Sequence, residues 1–97
     1  MILGEEEGIS MSPSTDFDAY NTQGLYKCVN TEYSNAPVAG NITGILEVFR
    51  ISSSLFIIQR MTIVYVSSPF IEVYQRRYRK NNQTWSSWYK VTMNVVS

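Results

Sequence analysis

The chain has 97 residues, of which 44% are apolar and 13% aromatic, and its eight bases and eight acids cancel. That length allows one domain with a modest core, because a small chain buries a lesser share of its surface on folding. No run of about 18 apolar residues is present, so no membrane-spanning helix is encoded, and Met1-Ile2-Leu3 passes directly into Glu5-Glu6-Glu7 with no secretion signal.

In chain order, residues 1–15 read as a lead-in or connector segment, with Gly4, Gly8, three glutamates and Ser12-Pro13-Ser14-Thr15 but few apolar anchors. The folded β domain is expected over residues 16–97. A short helical turn fits Thr15 to Tyr20, capped by Thr15 or Asp16, with Phe17 and Tyr20 three apart on one face. Gly24 ends it and opens a strand, Leu25 to Val29. That strand holds Cys28, a lone cysteine in an apolar run, which reads as a buried inert thiol. Asn30, Asn35, Pro37, Gly40 and Asn41 then mark a polar loop.

The centre carries the strongest β signal. Ile45 to Ile51 and Leu55 to Val64 are rich in β-branched and aromatic residues, and Ser52-Ser53-Ser54 between them suits a hairpin loop. A three-residue loop pairs Ile51 with Leu55, Phe49 with Ile57, and Glu47 with Gln59. One face then holds Ile45, Phe49, Ile51, Leu55, Ile57 and Met61; the other holds Leu46, Val48, Phe56 and Ile58 beside Arg50 and Arg60. Both faces are largely apolar, whereas a sheet with one face in water alternates more cleanly. The hairpin is therefore expected to be covered on one side by its own domain and on the other by a neighbour. A second strand pair follows, Phe70 to Arg79 and Trp88 to Met93, with Pro69 at a strand start where its missing N–H does least harm. The fold class expected is mainly β: a small antiparallel meander of about five strands with one short N-terminal helical turn. Phe49, Ile57 and Trp88 are its expected core.

The charges are unevenly placed. Residues 1–49 carry seven acids and one base, a net −6, and residues 50–97 carry seven bases and one acid, a net +6. Such asymmetry marks nucleic-acid binding, or two halves that neutralise each other within a fold or between subunits.

Catalytic chemistry finds little to work with. The sequence has no histidine, the usual general base and commonest metal ligand, and one cysteine, so a zinc site would need carboxylates alone, a poor match to zinc, and a Ser-His-Asp triad is impossible within the chain. The five glycines form no phosphate-binding fingerprint. A carboxylate pair of the glycosidase kind is the remaining enzymatic option. Glu47 and Glu72 lie mid-strand, and each is better explained as the cross-strand partner of an arginine such as Arg60 or Arg77. Asp16 and Asp18 read as capping residues. No catalytic, cofactor or metal residue is expected.

Binding is the richer possibility. Tyr74-Gln75-Arg76-Arg77-Tyr78-Arg79-Lys80 interleaves rings and cations, a pattern used for single-stranded nucleic acid. In a strand, however, Tyr74, Arg76 and Tyr78 point one way while Gln75, Arg77 and Arg79 point the other. A solvated ribbon with structural ion pairs is the plainer reading, and nucleic acid is not the expected partner. Rings with polar neighbours also suit carbohydrate, where Trp85, Tyr74, Tyr78, Tyr89 and Arg76 are the candidate glycan contacts. For Trp88, at a strand start, the core is the better assignment.

The ending Tyr74-Gln75-Arg76-Arg77-Tyr78 followed by Thr84-Trp85-Ser86-Ser87-Trp88-Tyr89-Lys90-Val91 resembles that of pyocin-knob-type domains, modules of phage and R-type bacteriocin tail fibres. Other parts follow in order: Asp16-Phe17-Asp18, Thr22-Gln23-Gly24 before Leu25-Tyr26, Asn35-Ala36-Pro37, and Gly44 to Val48 ahead of a strand containing Gln59. The likeness covers residues 16–93, and Tyr65-Val66-Ser67-Ser68-Pro69 departs from it where a shorter glycine-containing turn is expected. It implies a non-enzymatic structural or host-attachment module of a tail fibre or baseplate, usually a homotrimer beside other fibre segments, made in the bacterial cytoplasm and carried on the virion. A carbohydrate-binding module for host-surface glycans and a single-stranded nucleic-acid-binding β domain stand as alternatives.

Overall fold

In the computed structural model, residues 9–11, 14–52, 55–80 and 83–92 are described, the first three as backbone alone. The β-branched and aromatic runs form strands as expected: β1 Ile9–Met11, β2 Gly24–Glu32, β3 Asn41–Ile51, β4 Phe56–Tyr65, β5 Ser68–Arg79, β6 Thr84–Trp85 and β7 Tyr89–Val91. They make one sheet in the order β1-β2-β3-β4-β5-β6, with β7 also on β5. From β2 onward every pairing is antiparallel, and β6 and β7 together fill the position beyond β5. The protein is thus mainly β, a curled antiparallel meander of five positions with a single 3-10 turn, Phe17–Ala19, near its start.

One strand lies where only a connector was expected. Ile9–Met11 pairs in parallel with Leu25–Lys27, so part of the lead-in is an edge of the sheet. Residues 1–8, 12 and 13 lie outside the described residues.

The central hairpin differs from expectation by one residue of register. Leu55 N–H donates to the Ser52 carbonyl at 3.1 Å, so the reversal spans four residues and not three. Ile51 therefore faces Phe56, Phe49 faces Ile58, Val48 faces Gln59 and Leu46 faces Met61. Because side chains alternate every residue, a one-place shift exchanges the partners of each face. Leu46 and Val48, assigned to the same face as Phe56 and Ile58, instead share the inner face with Ile57, Gln59, Met61 and Ile63, all buried. Phe49, expected in the core, is 39% exposed on the outer face; Ile57 is in the core as expected.

The inner face is covered by the chain's own non-strand segments. Phe17 and Tyr20 of the 3-10 turn meet edge to face at 5.8 Å, and Phe17 also packs on Tyr33 at 4.7 Å and on Trp88 at 6.0 Å. Asp16 caps the turn by accepting from Asp18 N–H at 2.9 Å, and the Asn35 amide holds that carboxyl below the usual carboxylate range. Trp88, whose Nε1 donates to the Asn35 carbonyl at 2.9 Å, joins the core margin as expected.

Two local devices shape the sheet. Asn30 has φ of 44°, a left-handed conformation that asparagine tolerates, and the β2–β3 register shifts between Cys28 and Thr31. At Gly44 the strands close in: a Cβ there would lie 1.9 Å from the Thr62 carbonyl oxygen. Between β4 and β5 the turn is Val66-Ser67, and Pro69 sits at the second residue of β5, near a strand start as expected.

Candidate functional site

Alternation along β5 divides the candidate residues between two faces and the core. Tyr74, Arg76 and Tyr78 point inward with Met61, Gln59 and Ile57 opposite them, while Gln75, Arg77 and Arg79 point outward. The five proposed glycan contacts are therefore not one constellation.

Arg76 is 6% exposed and belongs to the architecture. Its Nε donates to Gln59 Oε1 at 2.8 Å and a terminal nitrogen donates to Asp18 Oδ1 at 2.9 Å. The guanidinium lies 4.1 Å from the centre of the Trp85 ring and 4.6 Å from that of Trp88. Burial draws the Arg76 pKa down, and the Asp18 carboxylate opposes that shift. Gln59 completes the network: its Nε2 donates to the carbonyls of Phe17 at 2.8 Å and Tyr20 at 2.9 Å. The sheet thus holds the 3-10 turn by its own carbonyls, and Asp18, expected only to cap, is the counter-ion of a buried arginine.

Trp85 and Tyr78 face each other on neighbouring strands with ring centres 5.3 Å apart. They form one wall of an open groove of about 330 Å³ whose polar lining includes Asp18, Asn21, Arg50 and Lys80. Tyr74 lies further along β5 in a different cluster. Glu72 there accepts from Tyr65 Oη, from Tyr74 Oη at 3.2 Å and from Lys90 Nζ at 2.8 Å. Lys90 holds the Glu72 carboxyl below its usual range, Glu72 pushes Tyr65 up to about 12, and burial raises Tyr74. The expected partner of Glu72 was an arginine; it is Lys90.

Tyr89, 67% exposed, stands on the outer face opposite Gln75. With Phe49, Ile58, Arg60, Gln75 and Arg77 it lines a groove of about 540 Å³. Around that groove the outer face continues through Ile51, Val64 and Ile71, each 44 to 49% exposed. Arg60 donates to Gln75 Oε1 at 3.1 Å, and Glu47, directly opposite Arg60, is the acid of this neighbourhood. Sequence reading expected a second apolar face of the hairpin to meet a neighbour, but it placed Phe49 in the core and gave Ile58 no part in a site. The available signal was the two-sided apolarity of the hairpin.

Among the described residues no group of three or more His, Cys, Asp or Glu gathers to hold a metal, and no helix is long and apolar enough to cross a membrane. No family model, curated protein or solved structure matches the chain.

Proposed function

We propose that this chain is a non-enzymatic structural or host-attachment module of a phage tail fibre or baseplate protein, of the pyocin-knob kind that its Trp85-Ser86-Ser87-Trp88 ending resembles. The observation that supports this most is the outer face of the sheet, where Phe49 and Ile51 of β3, Val64 of β4, Ile71 of β5 and Tyr89 of β7 stand exposed. These side chains flank the polar row Glu47–Arg60–Gln75 that crosses the face, and apolar surface left in water on both sides of it favours a partner. Modules of this kind assemble as homo-oligomers, usually trimers, and abut other fibre segments, either of which would cover it. The lack of histidine in the sequence favours a role without acid–base chemistry.

Immunogold electron microscopy of particles released by the producing strain tests the reading. An antibody against the chain should label tail tips or baseplates. Label restricted to the soluble fraction would overturn it.

A second reading has a specific observation behind it. The Trp85 and Tyr78 rings wall an open groove with Asp18, Asn21 and Lys80 at its margin, and rings beside hydroxyl-binding polar groups suit a sugar. On this reading the attachment module binds a host-surface glycan there. Glycan-array binding lost in Trp85→Ala, with far-UV circular dichroism retained, is the expected result, and an array with no binding removes the idea. Single-stranded nucleic acid gains less support, because Arg76 is engaged inside and Lys80 lines a different groove from Arg77.

A further inference from the structure

We infer that Arg77, Arg79 and Thr84 form a binding site for the phosphate group of a phosphorylated sugar on the outer face of the sheet. The inference rests on cations without counter-ions and stands apart from the virion reading and from the Trp85–Tyr78 groove.

Alternation along β5 sends Arg77 and Arg79 to the same side, two residues or roughly 7 Å apart. With Thr84, Trp85 and Ser86 they line a small depression of about 180 Å³. The segment after β5 fixes its other wall. Thr84 of β6 pairs directly with Arg79. Ser86 is bound to Arg77 twice: its N–H donates to the Arg77 carbonyl at 2.7 Å, and its Oγ accepts from the Arg77 N–H at 3.0 Å. That Oγ also donates to the Ser87 carbonyl at 2.9 Å, so it is engaged by backbone, and the exposed Thr84 brings the hydroxyl open to a ligand.

Among the described residues neither arginine has a carboxylate partner. The ion pairs there, Arg76 with Asp18 and Lys90 with Glu72, involve neither. Glu47 of β3 shares their face but stands opposite Arg60, two strands or roughly 10 Å from β5. The Arg79 Nε is buried with no hydrogen-bond partner. A buried donor in that state costs free energy until an acceptor reaches it.

The donors decide the ligand's charged end. Two guanidinium forks beside a hydroxyl offer more N–H and O–H groups than the two oxygens of a carboxylate can use. A terminal phosphate presents three acceptor oxygens and close to two negative charges. The neighbouring groove, which shares Arg77 and Ser86 with the depression, decides the rest. Its exposed Tyr89 ring offers an apolar surface, and Gln75, whose Oε1 accepts from Arg60, keeps its amide N–H groups for hydroxyls. A sugar ring has both an apolar face and hydroxyls. A polynucleotide fits less well, because successive phosphates need a track of cations. The further base of that groove, Arg60, is held by Gln75 and faces Glu47.

An NMR titration of the full chain tests the site. Inorganic phosphate and glucose 6-phosphate should each shift the Nε–H signals of Arg77 and Arg79, and glucose should shift neither. Arg77→Gln with Arg79→Gln should weaken glucose 6-phosphate binding at least tenfold while circular dichroism is retained. Tyr89→Ala should weaken glucose 6-phosphate and leave inorganic phosphate unchanged; an equal effect on both probes would overturn the place given to the sugar. An Arg79 signal that neither phosphate moves overturns the inference, and that wild-type measurement decides even if the double variant fails to fold. Glucose binding as tightly as its phosphate overturns it too. Oligo(dT) binding more tightly than glucose 6-phosphate would make the face a nucleic-acid site and overturn it equally.

Discussion

Gln59 and Arg76 stand directly opposite each other on β4 and β5 and share a 2.8 Å hydrogen bond from Arg76 Nε to Gln59 Oε1. The bond fixes the amide's orientation: its oxygen serves the arginine, so its nitrogen faces the Phe17 and Tyr20 carbonyls at 2.8 and 2.9 Å. One neutral side chain thereby satisfies a buried cation and two backbone acceptors of the turn that closes the core. Asp18, on the same turn, supplies the opposite charge at 2.9 Å from Arg76. Turn and sheet are therefore joined by polar geometry as well as by the Phe17 and Tyr20 rings.

Gln59→Leu keeps volume and removes all three bonds. It leaves two carbonyls and Arg76 Nε unsatisfied in the interior, so the expected loss of stability is about 3 kcal/mol, read from urea denaturation. A loss under about 1 kcal/mol would mean that the turn is held by packing alone.

Gly44→Ala adds one methyl group where the nearest atom is the Thr62 backbone oxygen at 1.9 Å. Neither strand can rotate that atom away, so β3 and β4 must separate or shift. The expected cost is about 3 kcal/mol, at the upper end of overpacking. An unchanged melting temperature would contradict the close approach of these strands.

Cys28 is fully buried opposite Gly44, and burial pushes its thiol above the usual range. A thiol that is both inaccessible and protonated is a poor nucleophile. An aromatic disulfide reagent near pH 8 should label the native chain at least a hundredfold more slowly than the urea-unfolded chain. Equal rates would show that the β2–β3 region opens readily.

The Glu72–Lys90 pair sets a pH dependence whose sign follows from the shifts. Lys90 and the Tyr65 hydroxyl hold the Glu72 carboxyl below its usual range, so its contribution is present above that range and fades as pH falls through the lowered value. Glu72 holds the Lys90 ammonium charged above its usual range, so that contribution is complete at lower pH and fades as pH rises through the raised value. The difference in melting temperature between wild type and Lys90→Met should therefore shrink between about pH 5 and about pH 2. A difference constant over that interval would rule out the pair as its source. The groups are solvent-accessible, so the effect is small.

Much of this was legible along the chain. Runs rich in β-branched and aromatic residues located β3 and β4, and the spacing of Phe17 and Tyr20 after a capping residue located the turn, because these are local backbone preferences. Cys28 in the interior followed from its apolar neighbours, and Trp88 at the core margin from its expected place at a strand start. The strand β1 was missed because parallel pairing with β2 is a long-range contact made by three residues with no alternation to announce it. The register of the hairpin was missed by one place, since a serine run fits a loop of three or four residues equally well, and Phe49 changed sides with it.

The sequence by itself determined that this protein is a small β meander with no histidine chemistry and with more apolar strand surface than one core can bury. Side-chain type and alternation suffice for that, being properties of neighbouring residues. Only the tertiary structure decided which surface was left over. It turned Arg76 inward to Gln59 and Asp18, placed Arg77 and Arg79 outward among Phe49, Ile58 and Tyr89, and divided Trp85 and Tyr78 from Tyr89. Those outcomes depend on how β4 registers against both its neighbours, and in a pleated sheet one residue of register reassigns a side chain to the opposite face.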